Sequence, residues 1–148
     1  MTLSAEDKIE IQELIMRYNR AIDSRNAEAW VDTFTPDGVF ESLKVGTFSG
    51  ADELLVMARA FWTEPEYEAW RGGQHWTSMP IIEGKGDAAT VFCYHLMFMP
   101  RGDENVALIM AAHEDDVVRW RGSWRFQRRR VRPWPPASTR VDAPLPGA

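Results

Sequence analysis

Histidine is the side chain best suited to act as a base near neutral pH, and this chain of 148 residues contains three of them. His75 lies in the stretch 74–82, where Trp, Thr and two Ile residues favour an extended strand after a Gly-Gly pair. Alternation along that strand places three further side chains on the face of His75: Thr77, Met79 and Ile81. A histidine that opens an apolar face is either a base in a pocket or a core residue bonded to a backbone carbonyl. The strand alone leaves both interpretations open.

Motifs for other chemistries are missing from the sequence. It has no HxH or HExxH spacing, no Gly-x-Ser-x-Gly nucleophile elbow and no phosphate-binding loop. The single cysteine, Cys93, lies in an apolar run and is predicted to be a buried packing residue. We therefore expect no metal site and no disulfide.

The composition limits the classes of partner. A hydrophobic content of 45% and a charged content of 26% are ordinary for one soluble globular domain. Seven Trp, seven Phe and seven Met favour an apolar pocket, although a thick core or a subunit interface would use them too. The net charge of −5 argues against nucleic acid as a partner. No apolar run has the length of a membrane span and no signal peptide is evident, so we expect a cytoplasmic protein.

The first half of the chain predicts helices. Ser4 begins a helix whose apolar residues recur at helical spacing as far as Ile22, and Asp23 follows at the edge of that stripe. A second helix is predicted over 27–34, and a third over 51–62. Between them, residues 35–38 (Thr-Pro-Asp-Gly) predict a turn and residues 39–43 a short strand. Residues 63–73 form an aromatic-rich loop suited to a lid or an interface.

The second half predicts long antiparallel strands joined by tight turns. After the His75 strand these are residues 89–99, 106–118 and 123–131. Helices followed by strands indicate an α+β domain, with the N-terminal helices packed on a curved, mostly antiparallel sheet. The domain is predicted to span 1–132, followed by a proline-rich C-terminal tail, 133–148, that is extended and either disordered or draped over the body. Arginines at 128–130 and 132 are predicted to pair with the acids at 114–116 or to lie at an interface.

Several short motifs, taken in order, resemble SnoaL-like domains of the nuclear transport factor 2-like superfamily. They are the segment from Tyr18 to Asp23, Trp30, the Phe-Thr-Pro-Asp-Gly segment from Phe34 to Gly38, Gly50, His75, the turn from Gly86 to Ala89, and the segment from Gly122 to Phe126. The resemblance covers about residues 5–131. It implies a cone-shaped α+β barrel.

The resemblance also implies an activity. Scytalone dehydratase, hexachlorocyclohexane dehydrochlorinase and bile acid 7α-dehydratase share an Asp at the end of the first helix and a His on the first long strand, which act together as a base inside the cone. The matching residues here are Asp23 and His75, and Tyr18 matches a site tyrosine of the bile acid enzyme. Enzymes of this family need no metal or organic cofactor, and many are trimers or dimers. We therefore expect a homo-oligomer, with a trimer favoured over a dimer.

Departures from scytalone dehydratase concern the substrate. Its two site tyrosines match Ile22 and Ser42, and its second site histidine matches Arg101. An Asn common in relatives is Met79 here. The resemblance therefore implies a more apolar pocket and a substrate other than scytalone.

The chemistry of proton abstraction suits these residues. A histidine can accept a proton from a C–H bond when a carboxylate on its other nitrogen fixes the tautomer and stabilises the imidazolium. Asp23 is either that carboxylate or a helix-terminal residue, although the helix dipole disfavours an acid at the C-terminal end. Tyr18 is either a proton donor to the leaving group or a core residue, and Arg101 is either an oxyanion ligand or a solvated turn residue.

We expect a small hydrophobic substrate, held in an apolar cavity of the cone. The expected contacts are Trp30, Phe34, Phe40, Ser42, Leu54, Trp62, Met79, Met97, Met99, Arg101, His95 and His113.

Two functional hypotheses follow. The first is a cofactor-independent lyase that uses a His75–Asp23 dyad on an aromatic or cyclic compound and releases water, halide or a carbonyl fragment; an isomerase or a polyketide cyclase would use the same base. The second is a non-catalytic protein that binds a ligand or assembles with a partner, resembling the β subunits of ring-hydroxylating dioxygenases.

Overall fold

A computed structural model describes residues 2–136. These residues form three α-helices, one 3-10 helix and seven strands. The helices are α1 (Ala5–Asp23), α2 (Ala27–Val31), α3 (Gly50–Thr63) and the 3-10 helix (Pro65–Trp70). The strands are β1 (Phe34–Ser42), β2 (Gly46–Ser49), β3 (Gln74–Thr77), β4 (Ile81–Lys85), β5 (Ala88–Arg101), β6 (Glu104–Trp120) and β7 (Ser123–Pro133).

All seven strands belong to one curved sheet. Its order is β2-β1-β7-β6-β5-β3, and β4 pairs with β5 beyond the end of β3. Only the β1–β7 pair is parallel. The helices pack on one face of this sheet, which confirms the α+β class. The sheet does not close into a barrel, because β2 and β3 are its two ends.

Helix α1 begins and ends where the sequence predicts. Ser4 and Asp7 form a reciprocal capping box, in which the Ser4 side chain accepts from the Asp7 backbone N–H at 3.0 Å and Asp7 accepts from the Ser4 N–H at 2.9 Å. The apolar stripe of α1 buries Ile11, Leu14, Ile15, Tyr18, Ala21 and Ile22. The helix therefore lies across the sheet with Asp23 at its C-terminal end.

The prediction for residues 27–38 is wrong in two respects. Helix α2 ends at Val31, and Phe34 already belongs to β1. The predicted turn is instead a register shift in β1 between Phe34, which pairs with Phe126, and Val39, which pairs with Arg128. The aromatic core explains the change, because the Phe34 ring packs at 5.0 Å from Trp30 and 5.5 Å from Phe126, and this anchors Phe34 to the sheet.

The predicted strand over 74–82 is two strands. β3 ends at Thr77, which pairs with His95, and β4 starts at Ile81, which pairs with Phe92. Between these two pairs, the segment that joins β3 to β4 therefore has one residue more than β5 has. The extra residue moves the side chains that follow it to the opposite face of the sheet. Ile82 is consequently buried and Ile81 is 61% exposed. Pro80 lies in the interruption and has no N–H to donate to the ladder.

Strands β5, β6 and β7 are longer than predicted, and β6 runs without a break through its acidic group. Alternation along β5 buries Cys93, His95, Met97 and Met99 on one face. Strand β7 extends to Pro133, and Trp134 packs against Phe92 and Tyr94. The remainder of the predicted tail, residues 137–148, lies outside the described residues.

Gly73 sets how closely β3 approaches β5. A Cβ added at Gly73 would overlap the Met99 sulfur and lie 2.7 Å from the Phe98 carbonyl oxygen. We expect Gly73→Ala to lower the free energy of unfolding by about 1–3 kcal/mol, because the neighbouring backbone must move. Chemical denaturation measures this loss. Gly72→Ala is the control: its Cβ meets nothing within 4 Å, and only its φ of +82° costs about 1 kcal/mol. The prediction would be contradicted if Gly73→Ala lowered the free energy of unfolding no more than Gly72→Ala does.

Candidate active site

Asp23 and His75 are in direct contact. Asp23 Oδ1 lies 2.6 Å from His75 Nδ1, and the same carboxylate accepts the backbone N–H of His75, with Oδ2 at 3.0 Å. Since the carboxylate accepts the Nδ1 proton, Nε2 is the ring nitrogen left to accept another. The His75 and Asp23 side chains are 14% and 22% exposed, so the pair lies near the surface without being open to it.

Two features of α1 deliver Asp23 to this position. The helix ends at Asp23, after which the backbone N–H of Ser24 bonds to Arg20 and Arg25 adopts a φ of 60° that turns the chain away. One turn earlier, the Asn19 amide donates to Thr77 Oγ1 at 3.5 Å. The C-terminal turn of α1 is therefore tied to β3 at both His75 and Thr77.

The other two histidines form a column behind His75. The rings of His75 and His95 are stacked at 5.2 Å, and those of His95 and His113 at 4.5 Å. Both inner rings are buried, and burial lowers the pKa of His95 to about 3 and the pKa of His113 well below its usual value. Their Nδ1 atoms have no hydrogen-bond partner among the described residues. His75 is thus the accessible histidine, backed by two neutral imidazoles.

A fully buried ion pair lies beyond the column. Arg129 donates from Nε and Nη2 to the two carboxylate oxygens of Asp115, at 3.0 and 2.9 Å, and both side chains have no exposed surface. Burial raises the pKa of Asp115 to about 6 against the opposing charge of Arg129. Arg129 Nη1 has no partner among the described residues. The arrangement leaves one buried, positively charged donor able to bind an oxygen atom.

Tyr18 lies within the aromatic core beside this ion pair. Its ring packs 5.4 Å from Trp30 and 6.3 Å from His113, and the Arg129 guanidinium carbon lies 4.2 Å from its centroid. Burial raises the pKa of Tyr18 to about 12, so the phenol is neutral and retains its proton. The structure places Tyr18 next to Arg129 and His113.

Most of the expected substrate contacts fill the interior of the cone. Six of them are at most 7% exposed and belong to one hydrophobic core: Trp30, Phe34, Phe40, Leu54, Met97 and Met99. Ser42 lies at the end of β1, where its hydroxyl accepts the backbone N–H of Lys44 at 3.3 Å. Trp62 is half-buried on α3, with the Arg25 guanidinium carbon 4.7 Å from its ring.

Met79 and Arg101 lie away from the dyad. Met79 is 79% exposed, because it falls in the interruption between β3 and β4. Arg101 lies at the exposed end of β5, and its guanidinium donates to the carbonyls of Ala69 and Pro100 at 2.7 and 2.9 Å. The described part of the chain has two concave surfaces, and neither is lined by His75 or Asp23. Met79 and Arg101 are thus surface residues, and their predicted contact with a substrate stays a prediction.

The sequence-based site omitted Arg129, Asp115 and Asn19. Alternation was the available signal: Asp115 shares a face of β6 with His113, and Arg129 faces Asp115 in register. The prediction that the basic and acidic clusters pair is confirmed for Arg129 and for Arg130, which lies 2.7 Å from Asp116. The sequence-based prediction treated these pairs as surface or interface features, whereas the Arg129–Asp115 pair is buried.

Within residues 2–136, no cluster of three or more His, Cys, Asp or Glu side chains has an arrangement that would hold a metal ion. No helix in that part of the chain is long and apolar enough to cross a membrane.

The protein has helices packed on a curved open sheet and an Asp–His pair where the first helix meets an edge strand. This arrangement defines an α+β domain of the nuclear transport factor 2-like class. A model of the SnoaL-like domain matches residues 3–130, so the chain belongs to that family. The family and fold predicted from the sequence are thus confirmed.

Individual relatives agree with this assignment. Rv2910c of Mycobacterium tuberculosis, an uncharacterized protein, is 26% identical over 125 residues, which cover 83% of this chain and 82% of the relative. A solved protein of unknown function with a cystatin-like fold, from Nostoc punctiforme, is 31% identical with a TM-score of 0.78, covering 88% of this chain and 93% of the other. An NTF2-like protein from Novosphingobium aromaticivorans is 25% identical with a TM-score of 0.78, covering 90% and 86%.

We expect the Arg129–Asp115 pair to be strongly coupled. Arg129→Met or Asp115→Leu alone should lower the free energy of unfolding by about 3–5 kcal/mol, since each leaves a buried charge without its partner. The double variant should lose less than the sum of the two, by about 2 kcal/mol or more.

Chemical denaturation of the four proteins gives this coupling energy. The adjacent pair Arg130–Asp116 is the matched control: its side chains are 25% and 43% exposed, so its coupling should be below about 1 kcal/mol. Equal coupling for the two pairs would contradict the prediction.

We also expect acid to unfold the protein through its buried histidines. The unfolded chain binds protons at His95 and His113 below about pH 6.5, while burial keeps both rings neutral in the folded state. The contribution of these two rings to stability is therefore complete above that pH and is lost as the pH drops towards 4, by about 1.4 kcal/mol per pH unit for each ring. Urea unfolding between pH 7 and 4 should show a shallower loss in His113→Leu. Parallel curves for the variant and the wild type would contradict it.

Proposed function

We propose that this protein is a cofactor-independent lyase in which His75 removes a proton from carbon and Asp23 orients and stabilises the histidine. The observation that carries the proposal is the 2.6 Å contact between Asp23 Oδ1 and His75 Nδ1 on a partly exposed imidazole. A carboxylate in this position fixes the tautomer with Nε2 unprotonated and lowers the energy of the imidazolium formed on proton transfer.

The electron pair left by the proton must be accommodated. Removal of a proton from the carbon next to a carbonyl produces an enolate, or a phenolate where the carbonyl belongs to a cyclohexadienone ring, and a buried donor stabilises that oxygen better than water does. Arg129 Nη1 is such a donor, and Tyr18 keeps a phenolic proton beside it. In this proposal His75 takes the proton from carbon and Arg129 attracts the developing negative charge. The electron pair then expels halide, or expels hydroxide that takes the proton back from the His75 imidazolium and leaves as water. A carbonyl fragment would leave instead where His75 takes the proton of a β-hydroxyl group and the carbon–carbon bond breaks.

The substrate class follows from the surroundings. The side chains near this polar column are aromatic rings and methionines, including Trp30, Phe34, Met97 and Met99. They would accept a small apolar ring and reject a charged compound. The proposed substrate is therefore a cyclic or aromatic compound that carries an oxygen for Arg129 and an activated C–H for His75.

Related activities share the first step. An isomerase would return the proton at another carbon, and a polyketide cyclase would use the carbanion to form a ring.

The non-catalytic alternative is favoured by a different observation: the core residues expected to contact a substrate are closely packed. A protein that only assembles with partners would need no pocket at the dyad.

The base step can be tested without knowing what leaves. In D2O, 2-tetralone exchanges the protons beside its carbonyl for deuterium, and NMR follows the rate. We expect the protein to accelerate this exchange, His75→Ala to lower the acceleration by about 10²- to 10⁴-fold, and Asp23→Asn to lower it by about tenfold or more. Glu83→Gln removes an exposed carboxylate from β4 and is the matched control with unchanged rate.

A panel of hydroxylated, halogenated and phenolic compounds would then identify the leaving group. Equal rates for the wild type, His75→Ala and Asp23→Asn would refute the dyad. Folded variants confirmed by circular dichroism make that comparison decisive. No acceleration by the wild type on the ketone or on any member of the panel would favour the non-catalytic alternative.

A further inference from the structure

A groove rich in arginine lies on another side of α1 from the dyad. It runs between the C-terminal half of α1, helix α2 and the start of β7, and its volume is about 570 Å³. Arg17 and Arg20 line it from α1, and Arg125 lines it from β7. The acid in its lining is Asp32. A chain with a net charge of −5 thus presents a concave surface in which positive charge predominates.

Helix and strand geometry bring these polar side chains together. Arg17 and Arg20 are three residues apart on α1, so they lie on the same face of the helix, and Ser24 extends that row by one turn. Arg125 and Ser123 are two residues apart on β7, so they share a face of the strand. Two rows of hydrogen-bonding side chains therefore border the groove.

The guanidinium of Arg125 has an unused hydrogen-bonding edge. Its Nη1 donates to the Trp124 carbonyl oxygen at 3.1 Å. Its Nε is buried without a partner among residues 2–136, and its Nη2 lies 3.6 Å from Asp32 Oδ2, which is longer than a hydrogen bond. Nε and Nη2 form an edge with which arginine holds two oxygen atoms of one anion. The Asp32 side chain is 79% exposed, so an incoming anion competes with a solvated carboxylate only.

The two arginines of α1 are also weakly engaged. Arg17 lies 3.7 Å from Glu13, and both side chains are more than half exposed, so this pair contributes little. Arg20 is exposed in the last turn of α1 and forms no ion pair within the described residues. By contrast, the exposed Arg59 donates to Glu28 at 2.6 Å. The arginines of the groove therefore have charge and donors available for a ligand.

The end of α1 would by itself disfavour an anion, because a helix carries about half a negative charge at its C-terminus. Here the last carbonyl oxygens are already bonded: that of Arg20 accepts the Ser24 N–H at 3.0 Å, and that of Ala21 accepts the Asn26 N–H at 2.9 Å. The three full positive charges of the groove outweigh that partial charge.

The donors fit a phosphate group better than a carboxylate. Two oxygens of one anion would occupy the free edge of Arg125, and a third would face Arg17 and Arg20 across the groove. A phosphate monoester has three such oxygens and a charge of about −1.5 to −2, whereas a carboxylate has two oxygens and a single charge. The volume of the groove is within the range of small-molecule sites and exceeds what a phosphate alone would fill.

We propose that this groove binds a phosphate group, free or carried by a small molecule, with Arg125 as its two-pronged ligand and Arg17 and Arg20 as supporting charges. The site is separate from the dyad, because neither Asp23 nor His75 lines it. The inference therefore does not require the lyase activity.

The test is a titration of the full-length protein, followed by two-dimensional NMR of its backbone amides. At constant ionic strength, inorganic phosphate and glycerol 3-phosphate should each shift the amide signals of Ser24, Ser123 and Arg125, and acetate should not. Tighter binding of glycerol 3-phosphate assigns the groove to a phosphorylated small molecule, and equal binding assigns it to free phosphate. Both results support the site.

Four variants separate specific recognition from general attraction. Arg125→Gln should weaken binding by roughly 10- to 100-fold, because two hydrogen bonds between charged groups are lost. Arg125→Lys keeps the charge without the edge and should still weaken binding by roughly tenfold. Arg20→Gln should weaken it by about twofold to fivefold, as expected for an exposed charge. Lys44→Gln removes an exposed positive charge from the turn between β1 and β2 and is the matched control with unchanged affinity.

The remaining outcomes would overturn the proposal. Absence of phosphate-induced shifts at these amides in the wild type would do so, and that measurement depends on no variant. Equal shifts with acetate would remove the preference for phosphate, and an equal loss of affinity in Lys44→Gln would show attraction to the whole chain. Unchanged binding by Arg125→Lys would refute the two-pronged contact. Failure of the 2-tetralone exchange would refute the lyase proposal and leave this one untouched.

Discussion

The contact of Asp23 with both the backbone and the ring of His75 joins the two layers of this protein. Helix α1 supplies the carboxylate, and β3, a four-residue end strand, supplies the histidine. One carboxylate accepting two donors from a single residue fixes the position of the strand and the orientation of the imidazole together. A short end strand has a weak ladder of its own, so its position depends on contacts from outside the sheet. The candidate base therefore owes its geometry to the end of a helix.

The polar groups behind His75 are costly and are placed where the fold can hold them. His95, His113 and the Arg129–Asp115 pair lie inside an apolar core, where unpaired polar atoms and charges are unfavourable. Stacking and the bidentate ion pair offset part of that cost, but Arg129 Nη1 and the two Nδ1 atoms still have no hydrogen-bond partner within residues 2–136. Hydrophobic residues of similar size at these positions would make the domain at least as stable. Retaining a column of unsatisfied donors and acceptors next to a partly exposed histidine is consistent with binding a polar atom of a substrate.

The sequence predicts much of the fold because its strongest signals are local. The capping box at Ser4, the stripe of α1 and the alternation of β5 each follow from residues within a few positions. The failures arose where tertiary contacts decide. Phe34 joined β1 because its ring packs against Trp30 and Phe126, and the strand after His75 changed face because of one extra residue opposite β5. For the site, the family resemblance pointed to Asp23 and His75. Arg129 was missed because alternation identifies the buried member of the basic cluster only once the register of β7 against Asp115 of β6 is known.

The same extra residue between β3 and β4 also shapes the two faces of the sheet. Before it, His75 lies inside and Trp76 outside; after it, Ile82 lies inside and Ile81 outside, opposite Phe92. The shift therefore places Trp76 and Ile81, which would have opposite orientations on an uninterrupted strand, on one surface. A strand without it would give the dyad the same histidine but would bury Ile81 and expose Ile82. The irregularity thus places two large exposed side chains, Trp76 and Ile81, on the sheet face directly behind the candidate base.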